Sequence, residues 1–71
     1  MTYMGWQMNM KLPVAENVIK AMEYHAEKYG RVPNVVEYSG NLSRDQIPTL
    51  DGVIVRFHHA PANILLLGCQ N

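Results

Sequence analysis

Two adjacent histidines and the single cysteine are the residues whose chemistry first suggests a metal site. Imidazole nitrogen and thiolate sulfur are good zinc ligands, and the candidates are His58, His59 and Cys69. Because neighbouring residues of a strand point to opposite faces, His58 and His59 do not readily bind one ion unless the fold adds His25 or a carboxylate. Two ordinary strand histidines, one half-buried and one exposed, explain the pattern better, so we predict no metal and no cofactor.

A nucleophilic cysteine is the second chemistry that these residue types allow. Cys69 would need a base, and the sequence offers His59 or His25 for that role. A cysteine near a strand end is more often a small buried hydrophobic side chain, so we predict no catalytic residue. The alternative of a metal-binding protein or a small enzyme rests on His25, His58, His59 and Cys69.

Nucleic-acid binding is the third chemistry, and it rests on Arg56 beside Phe57. A basic side chain next to an aromatic ring on a strand can hold and stack a nucleotide. However, six Lys/Arg balance six Asp/Glu, so the formal net charge is zero, whereas nucleic-acid binders draw most of their affinity from a basic excess. The glycines are isolated, and no phosphate-binding loop is present. We therefore keep nucleic-acid binding only as a second alternative.

One segment of helical periodicity is the clearest element that would position these residues. Pro13 suits the first turn of a helix, and Gly30 suits the position after the last turn, where φ becomes positive. Apolar residues recur between them at helical spacing, with charged residues on the opposite side. The apolar stripe contains Val14, Val18, Ala21, Met22, His25 and Tyr29. We predict a helix over residues 13–29.

Residues 1–11 alternate between two kinds of side chain. Met4, Trp6, Met8 and Met10 would share one face of a strand. The segment is therefore either an edge strand with an apolar face or a disordered leader, and a single small α+β domain follows it over residues 12–71.

Short β-rich segments separated by turn residues make up the rest of the chain. We predict strands at 35–38, 53–59 and 64–69, one helical turn at 43–47, and a turn at 60–63. The last two strands would form a C-terminal hairpin. The fold class is α+β: one main amphipathic helix packed on a three- to four-stranded, mainly antiparallel sheet.

The two predicted hairpin strands differ in how their faces are patterned. In 53–59, the face that carries Ile54, Arg56 and His58 is the more polar one, and we expect it to be solvated. The strand at 64–69 is apolar on both faces, which favours a central position in the sheet.

One helix covers only one face of such a sheet, so a second copy, a partner or the N-terminal segment should cover the other. Zero net charge also weakens repulsion between copies. We predict a small, non-enzymatic accessory or interaction protein that forms a homo-oligomer, with a dimer as the first guess, or binds a protein partner. The candidate interaction surface consists of Trp6, Met8, Ile54, Arg56, Leu65 and Leu67.

The compartment is predicted from cysteine usage and hydropathy. A single cysteine cannot form an internal disulfide, which favours a reducing compartment. The longest apolar run, at 64–67, is far shorter than the roughly 20 residues of a membrane span. We predict a cytoplasmic protein without a membrane segment.

Two stretches of the sequence resemble segments of phage proteins. KYGRVPNVVEYS (28–39) resembles a helix end, Pro-Asn and strand found in short phage, prophage and mobile-element proteins. TLDGVIVRFHHAPANILLLG (49–68) is similar to a pattern near the end of tailed-phage major capsid proteins, although this chain lacks the long arm and spine helix of those proteins. The resemblance implies an origin in a phage or mobile element and assigns no site residue.

Overall fold

The predicted helix and sheet are both present in a computed structural model, which describes residues 3–59 and 63–70. In chain order the elements are β1 (Tyr3–Gln7), α1 (Val14–Tyr29), β2 (Val35–Ser39), a short 3-10 helix (Arg44–Gln46), β3 (Ile54–His58) and β4 (Ile64–Gly68). The predicted α+β class, with one main helix on a four-stranded and mainly antiparallel sheet, is confirmed. Most of the predicted turn at 60–63 lies outside the described residues.

The local sequence explains both ends of α1. Pro13 is the N-cap with φ of −58°, the angle that its ring imposes, and the helix proper starts one residue later than predicted. Gly30 ends the helix with φ of 71°, and its N–H donates to the Ala26 carbonyl at 2.8 Å. Positive φ is a conformation that glycine adopts without steric cost.

The strand order in the sheet is β1-β4-β2-β3. β4 pairs antiparallel with both β1 and β2, so the central position predicted for the last strand is confirmed. β2 pairs parallel with β3 and lies between β3 and β4. The last two strands therefore run antiparallel, as in the predicted C-terminal hairpin, but each hydrogen bonds to β2 rather than to the other.

The burial of β2 explains why this strand lies between β3 and β4, which a hairpin would have paired directly with each other. Val35, Val36 and Tyr38 of β2 are fully buried, and successive residues of a strand lie on opposite faces. Neighbouring strands on both sides add side chains that flank each face of β2 and so favour this burial. The direct pairing expected between 53–59 and 64–69 is the part of the prediction that the structure corrects.

β1 is an edge strand, the first of the two alternatives for residues 1–11. Met4 and Met8 are 8% and 4% exposed and belong to the hydrophobic core, and Trp6 packs against it. Met10 lies beyond the strand and is 62% exposed, so the predicted apolar face ends before it. The N-terminal segment is thus part of the same core as the rest of the domain.

α1 covers one face of the sheet, and the core lies between them. The buried core side chains are Met4, Met8, Val18, Ala21, Val36, Tyr38, Leu65 and Leu67. We call the opposite face the open face, because no helix of the described chain lies on it. Strand alternation and register place on it Tyr3, Val35, Glu37, Ile54, Arg56, His58, Ile64 and Leu66.

No helix within residues 3–59 and 63–70 is long and apolar enough to cross a membrane.

Candidate functional site

The outer edge of β3 is the most exposed apolar part of the sheet. Ile54, Val55 and Phe57 are 41%, 37% and 39% exposed, and together they make up most of a five-residue strand. The other edge strand, β1, exposes Gly5 and Gln7 instead. Natural proteins usually protect an apolar edge strand, because it is a template on which another chain can form a β-ladder.

The backbone groups of β3 divide into an inward and an outward set. The Ile54 N–H donates at 2.7 Å to a carbonyl just before β2, and the His58 carbonyl accepts at 3.1 Å from an N–H just after β2. Since the direction of these groups alternates along a strand, the N–H and C=O of Val55 and Phe57 point away from the sheet. No described strand lies on that side of β3.

A cleft of about 210 Å³ adjoins β3 on the helix-facing side of the sheet. Its lining residues are Arg44, Ile47, Pro48, Thr49, Leu50, Val53 and Val55. The Arg44 guanidinium lies 5.6 Å from the centre of the Phe57 ring, within the range of a cation–π contact. A side chain placed beside Val55 would therefore meet both apolar and polar groups.

A polar bridge crosses the open face and joins the two edge strands. Arg56 donates from Nη1 to the Tyr3 hydroxyl at 3.3 Å and from Nη2 to Gln70 Oε1 at 3.0 Å. Because β3 and β1 are at opposite edges, these side chains meet over β2 and β4, and Val35 on this face is fully buried. A hydrogen bond to Glu37 raises the pKa of Tyr3. We call Tyr3, Arg56 and Gln70 the brace.

The candidate interaction surface divides between the two faces of the sheet. Its buried members are Met8, Leu65 and Leu67. These three cannot contribute to a surface, because α1 packs on the face of the sheet that carries them. Trp6 is half-buried and packs against Tyr24, with 5.3 Å between ring centres. Ile54 and Arg56 are exposed on the open face, so the accessible part of the predicted surface lies on β3.

The adjacent histidines His58 and His59 do not form a metal site with Cys69. His58 is only 9% exposed, and its Nε2 donates to the Ile64 carbonyl at 2.8 Å, so the expectation of a solvated position is wrong for this residue. His59 is exposed and follows the end of β3, whereas Cys69 follows Gly68, which the register sets level with Ile54 at the start of β3. The described residues contain no group of three or more His, Cys, Asp or Glu able to hold a metal ion.

His25 and Cys69 do line a common cleft, of about 230 Å³, on the other side of the molecule. Its lining residues are Tyr3, Met4, His25, Tyr29, Arg31 and Cys69. His25 is 5% exposed, and its Nδ1 lies 2.8 Å from the backbone carbonyl oxygen of Arg31. Because a carbonyl only accepts, Nδ1 carries the proton and donates it. The Cys69 thiol donates weakly to the Val32 carbonyl at 3.7 Å. Of the two bases considered for Cys69, His25 is the nearer in the fold, and its Nδ1 has a structural role.

Two buried polar side chains were not predicted to matter. Asn17 is 2% exposed and binds the chain that leads into α1. Asn17 lies three residues after Val14 and four before Ala21, which places it on the apolar stripe of the helix. This spacing is the sequence feature that could have predicted its burial. The Tyr38 hydroxyl is buried without a hydrogen-bond partner in the described part of the chain, which no sequence pattern indicates.

Comparison of the chain with protein-family models, with curated proteins and with solved structures finds no match. The resemblance to phage proteins stays a prediction.

Proposed function

We propose that this chain is a small, non-enzymatic interaction domain that binds another polypeptide along the outer edge of β3. The observation that carries the proposal is the coincidence of exposed apolar side chains and outward backbone groups at Val55 and Phe57. In recognition by strand addition, the backbone ladder contributes affinity and the alternating side chains contribute specificity. β3 offers both.

The surroundings of β3 favour this function over the two alternatives. Arg56 is engaged by the Tyr3 hydroxyl and Gln70, so its guanidinium is directed along the sheet and not toward an incoming phosphate. His58 and His25 are each bound to a backbone carbonyl, as buried histidines of an ordinary core are. His25, His58 and Arg56 thus have structural roles, whereas the outward groups of β3 have none within the described chain.

A proline scan along β3 tests the backbone arrangement on which the proposal depends. Val55→Pro removes an outward N–H and should preserve the fold, because proline is tolerated on an edge strand when its nitrogen faces solvent. Arg56→Pro removes an inward N–H of the ladder with β2 and should cost roughly 1–3 kcal/mol more unfolding free energy than Arg56→Ala, which removes the same side chain and keeps the N–H. Urea denaturation followed by circular dichroism measures both variants, and equal damage from the two would contradict the assignment of outward groups.

Binding is then tested with the full chain carrying an affinity tag, expressed in cells. Polypeptides recovered with the wild type, including further copies of the chain itself, should also be recovered with Val55→Thr, which keeps the backbone donor and a β-branched side chain. They should be lost with Val55→Pro. In the purified complex, amide hydrogen exchange at Val55 and Phe57 should be slower than in the isolated chain.

Recovery that is equal for Val55→Pro and Val55→Thr, with unchanged exchange at these two amides, would show that β3 is not the binding surface.

A further inference from the structure

Resting on the proposed function, we infer that the occupant of the β3 edge is β3 of a second copy of this chain. The two strands run antiparallel, and Phe57 lies on the two-fold axis. The result is one continuous eight-stranded sheet, since each copy contributes the four strands β1-β4-β2-β3. Each copy thereby covers the exposed outer edge of β3 in the other copy.

The backbone of β3 is self-complementary about Phe57. Its outward N–H and C=O meet the same two groups of the second copy, which gives a reciprocal pair of hydrogen bonds at the axis. Antiparallel pairing about this axis sets residues whose numbers sum to 114 opposite each other, so Val55 faces His59 of the partner subunit. Directly opposed residues lie on the same face of the sheet, so the two Phe57 rings become neighbours on the helix-facing side.

Charge selects this register over the one centred on Arg56. Pairing about Arg56 would set two arginines directly opposite each other, and opposed like charges destabilise a sheet. With Phe57 on the axis, Arg56 faces His58 of the partner subunit, and the brace to Tyr3 and Gln70 keeps its guanidinium on its own subunit. Arg56 is the one charged residue of β3, and the formal net charge of the chain is zero, so no oppositely charged partner is required.

The cleft beside Val55 also fits a second copy. In this register His59 of the partner subunit is level with Val55, at the mouth of the cleft lined by Leu50 and Thr49. Its imidazole, which is exposed in the isolated chain, has an apolar body and polar nitrogens that match such a mixed lining.

Disulfide trapping at single positions tests the register. In a Cys69→Ser background, Phe57→Cys places the two thiols on the axis, where a hydrogen-bonded antiparallel pair has a Cα separation of about 5.5 Å, within the range of a disulfide. Strand geometry gives separations of roughly 8 Å for Arg56→Cys and roughly 14 Å for Val55→Cys, both too long. These three positions are all exposed, so the thiols are matched in accessibility.

Under mild oxidation, Phe57→Cys should form a covalent dimer at least tenfold faster than either control variant. Faster cross-linking of Arg56→Cys would overturn the proposed register, and equal, slow rates at the three positions would overturn the pairing itself.

Sedimentation equilibrium of the wild-type chain provides a second measurement that involves no cysteine variant. Two five-residue strands make a small interface, so a weak dimer is expected, and concentrations up to roughly 1 mM would populate a dimer with a Kd of about 100 µM. Val55→Pro should weaken the dimer at least tenfold, and Val55→Thr less than threefold.

A wild-type chain that stays monomeric at the highest concentration would overturn the inference of a second copy. The proposed function would then still stand if a different polypeptide were recovered by Val55→Thr and lost with Val55→Pro. It would fail as well if no such polypeptide were recovered.

Discussion

Tyr38 shows how one side chain combines packing with an unfavourable polar group. Its ring is fully buried in the core, with its centre 6.4 Å from that of Phe57. Its hydroxyl is also buried and has no hydrogen-bond partner among the described residues, and burial raises the pKa of Tyr38 to about 12. The neutral ring stabilises the fold through apolar contacts, whereas its oxygen has lost water without gaining a partner.

Replacing Tyr38 by phenylalanine should therefore stabilise the domain by roughly 1 kcal/mol, because it removes a buried unsatisfied hydroxyl and keeps the ring. Urea denaturation at neutral pH measures the difference. A loss of stability in Tyr38→Phe would show that the hydroxyl is bound to a group outside the described residues.

The raised pKa of Tyr38 also predicts how the stabilities of the wild type and of Tyr38→Phe differ in their pH dependence. Folding favours the protonated phenol, so its contribution is complete below the ordinary pKa of 10.0 and is lost as pH rises toward about 12. The wild type should lose stability across this window more steeply than Tyr38→Phe, which serves as the control for the other tyrosines. Parallel curves for the two proteins would contradict the assignment.

Asn17 acts at the scale of elements, because it joins the end of β1 to the start of α1. Its Oδ1 accepts from the Asn9 N–H at 2.7 Å. Its Nδ2 donates to the carbonyls of Asn9, Leu12 and Pro13 at 2.9, 3.3 and 3.1 Å. One side chain thus links backbone groups of the connection to the first turn of α1.

Asn17→Ala should cost roughly 1–3 kcal/mol of unfolding free energy, because it removes a buried side chain that binds the Asn9 N–H and the Leu12 carbonyl. Asn9→Ala is the matched control, since within the described residues the Asn9 side chain accepts a single, exposed hydrogen bond, from the Lys11 N–H at 3.0 Å. Chemical denaturation of both variants should show a loss below roughly 1 kcal/mol for Asn9→Ala. Similar losses for the two would mean that Asn17 does not carry the connection.

At the scale of the whole molecule, the two faces of the sheet are protected in different ways. α1 covers one face with apolar side chains, and the brace covers part of the other with three polar ones. The brace joins the two edge strands, which are far apart in the strand order, across the face on which Val35 is fully buried. A small domain has little stability in reserve, so a link between its edges should affect the whole fold.

Arg56→Ala should lower the unfolding free energy by about 1 kcal/mol and speed amide exchange along β1, because β1 loses its link to β3. Gln70→Ala removes only one of the two Arg56 hydrogen bonds and should have a smaller effect on β1. Neither variant should change oligonucleotide binding measured at low salt. A salt-dependent complex that is weakened by Arg56→Ala would instead support the nucleic-acid alternative.

Local sequence patterns predicted the bounds of the helix and strands well, but not which strands pair with each other. Pro13, Gly30 and the apolar stripe define α1 through interactions within a few residues, and the bounds were predicted to within one residue. Strand pairing depends instead on which strand gains most from burial on both sides, a comparison across the whole chain. That comparison placed β2 between β3 and β4, and it buried Leu65 and Leu67, which the prediction had assigned to a surface.

The sequence by itself determined the helix, the strands and the α+β class, because the periodicity of apolar residues acts locally. Its composition also showed that the chain lacks the basic excess of a typical nucleic-acid binder. Only the tertiary structure decided that His25 and Cys69 line one cleft and that no described strand pairs with the outer edge of β3. The physical reason is that the order of strands in a sheet is set by long-range burial and hydrogen bonding, to which the spacing of residues along the chain is blind.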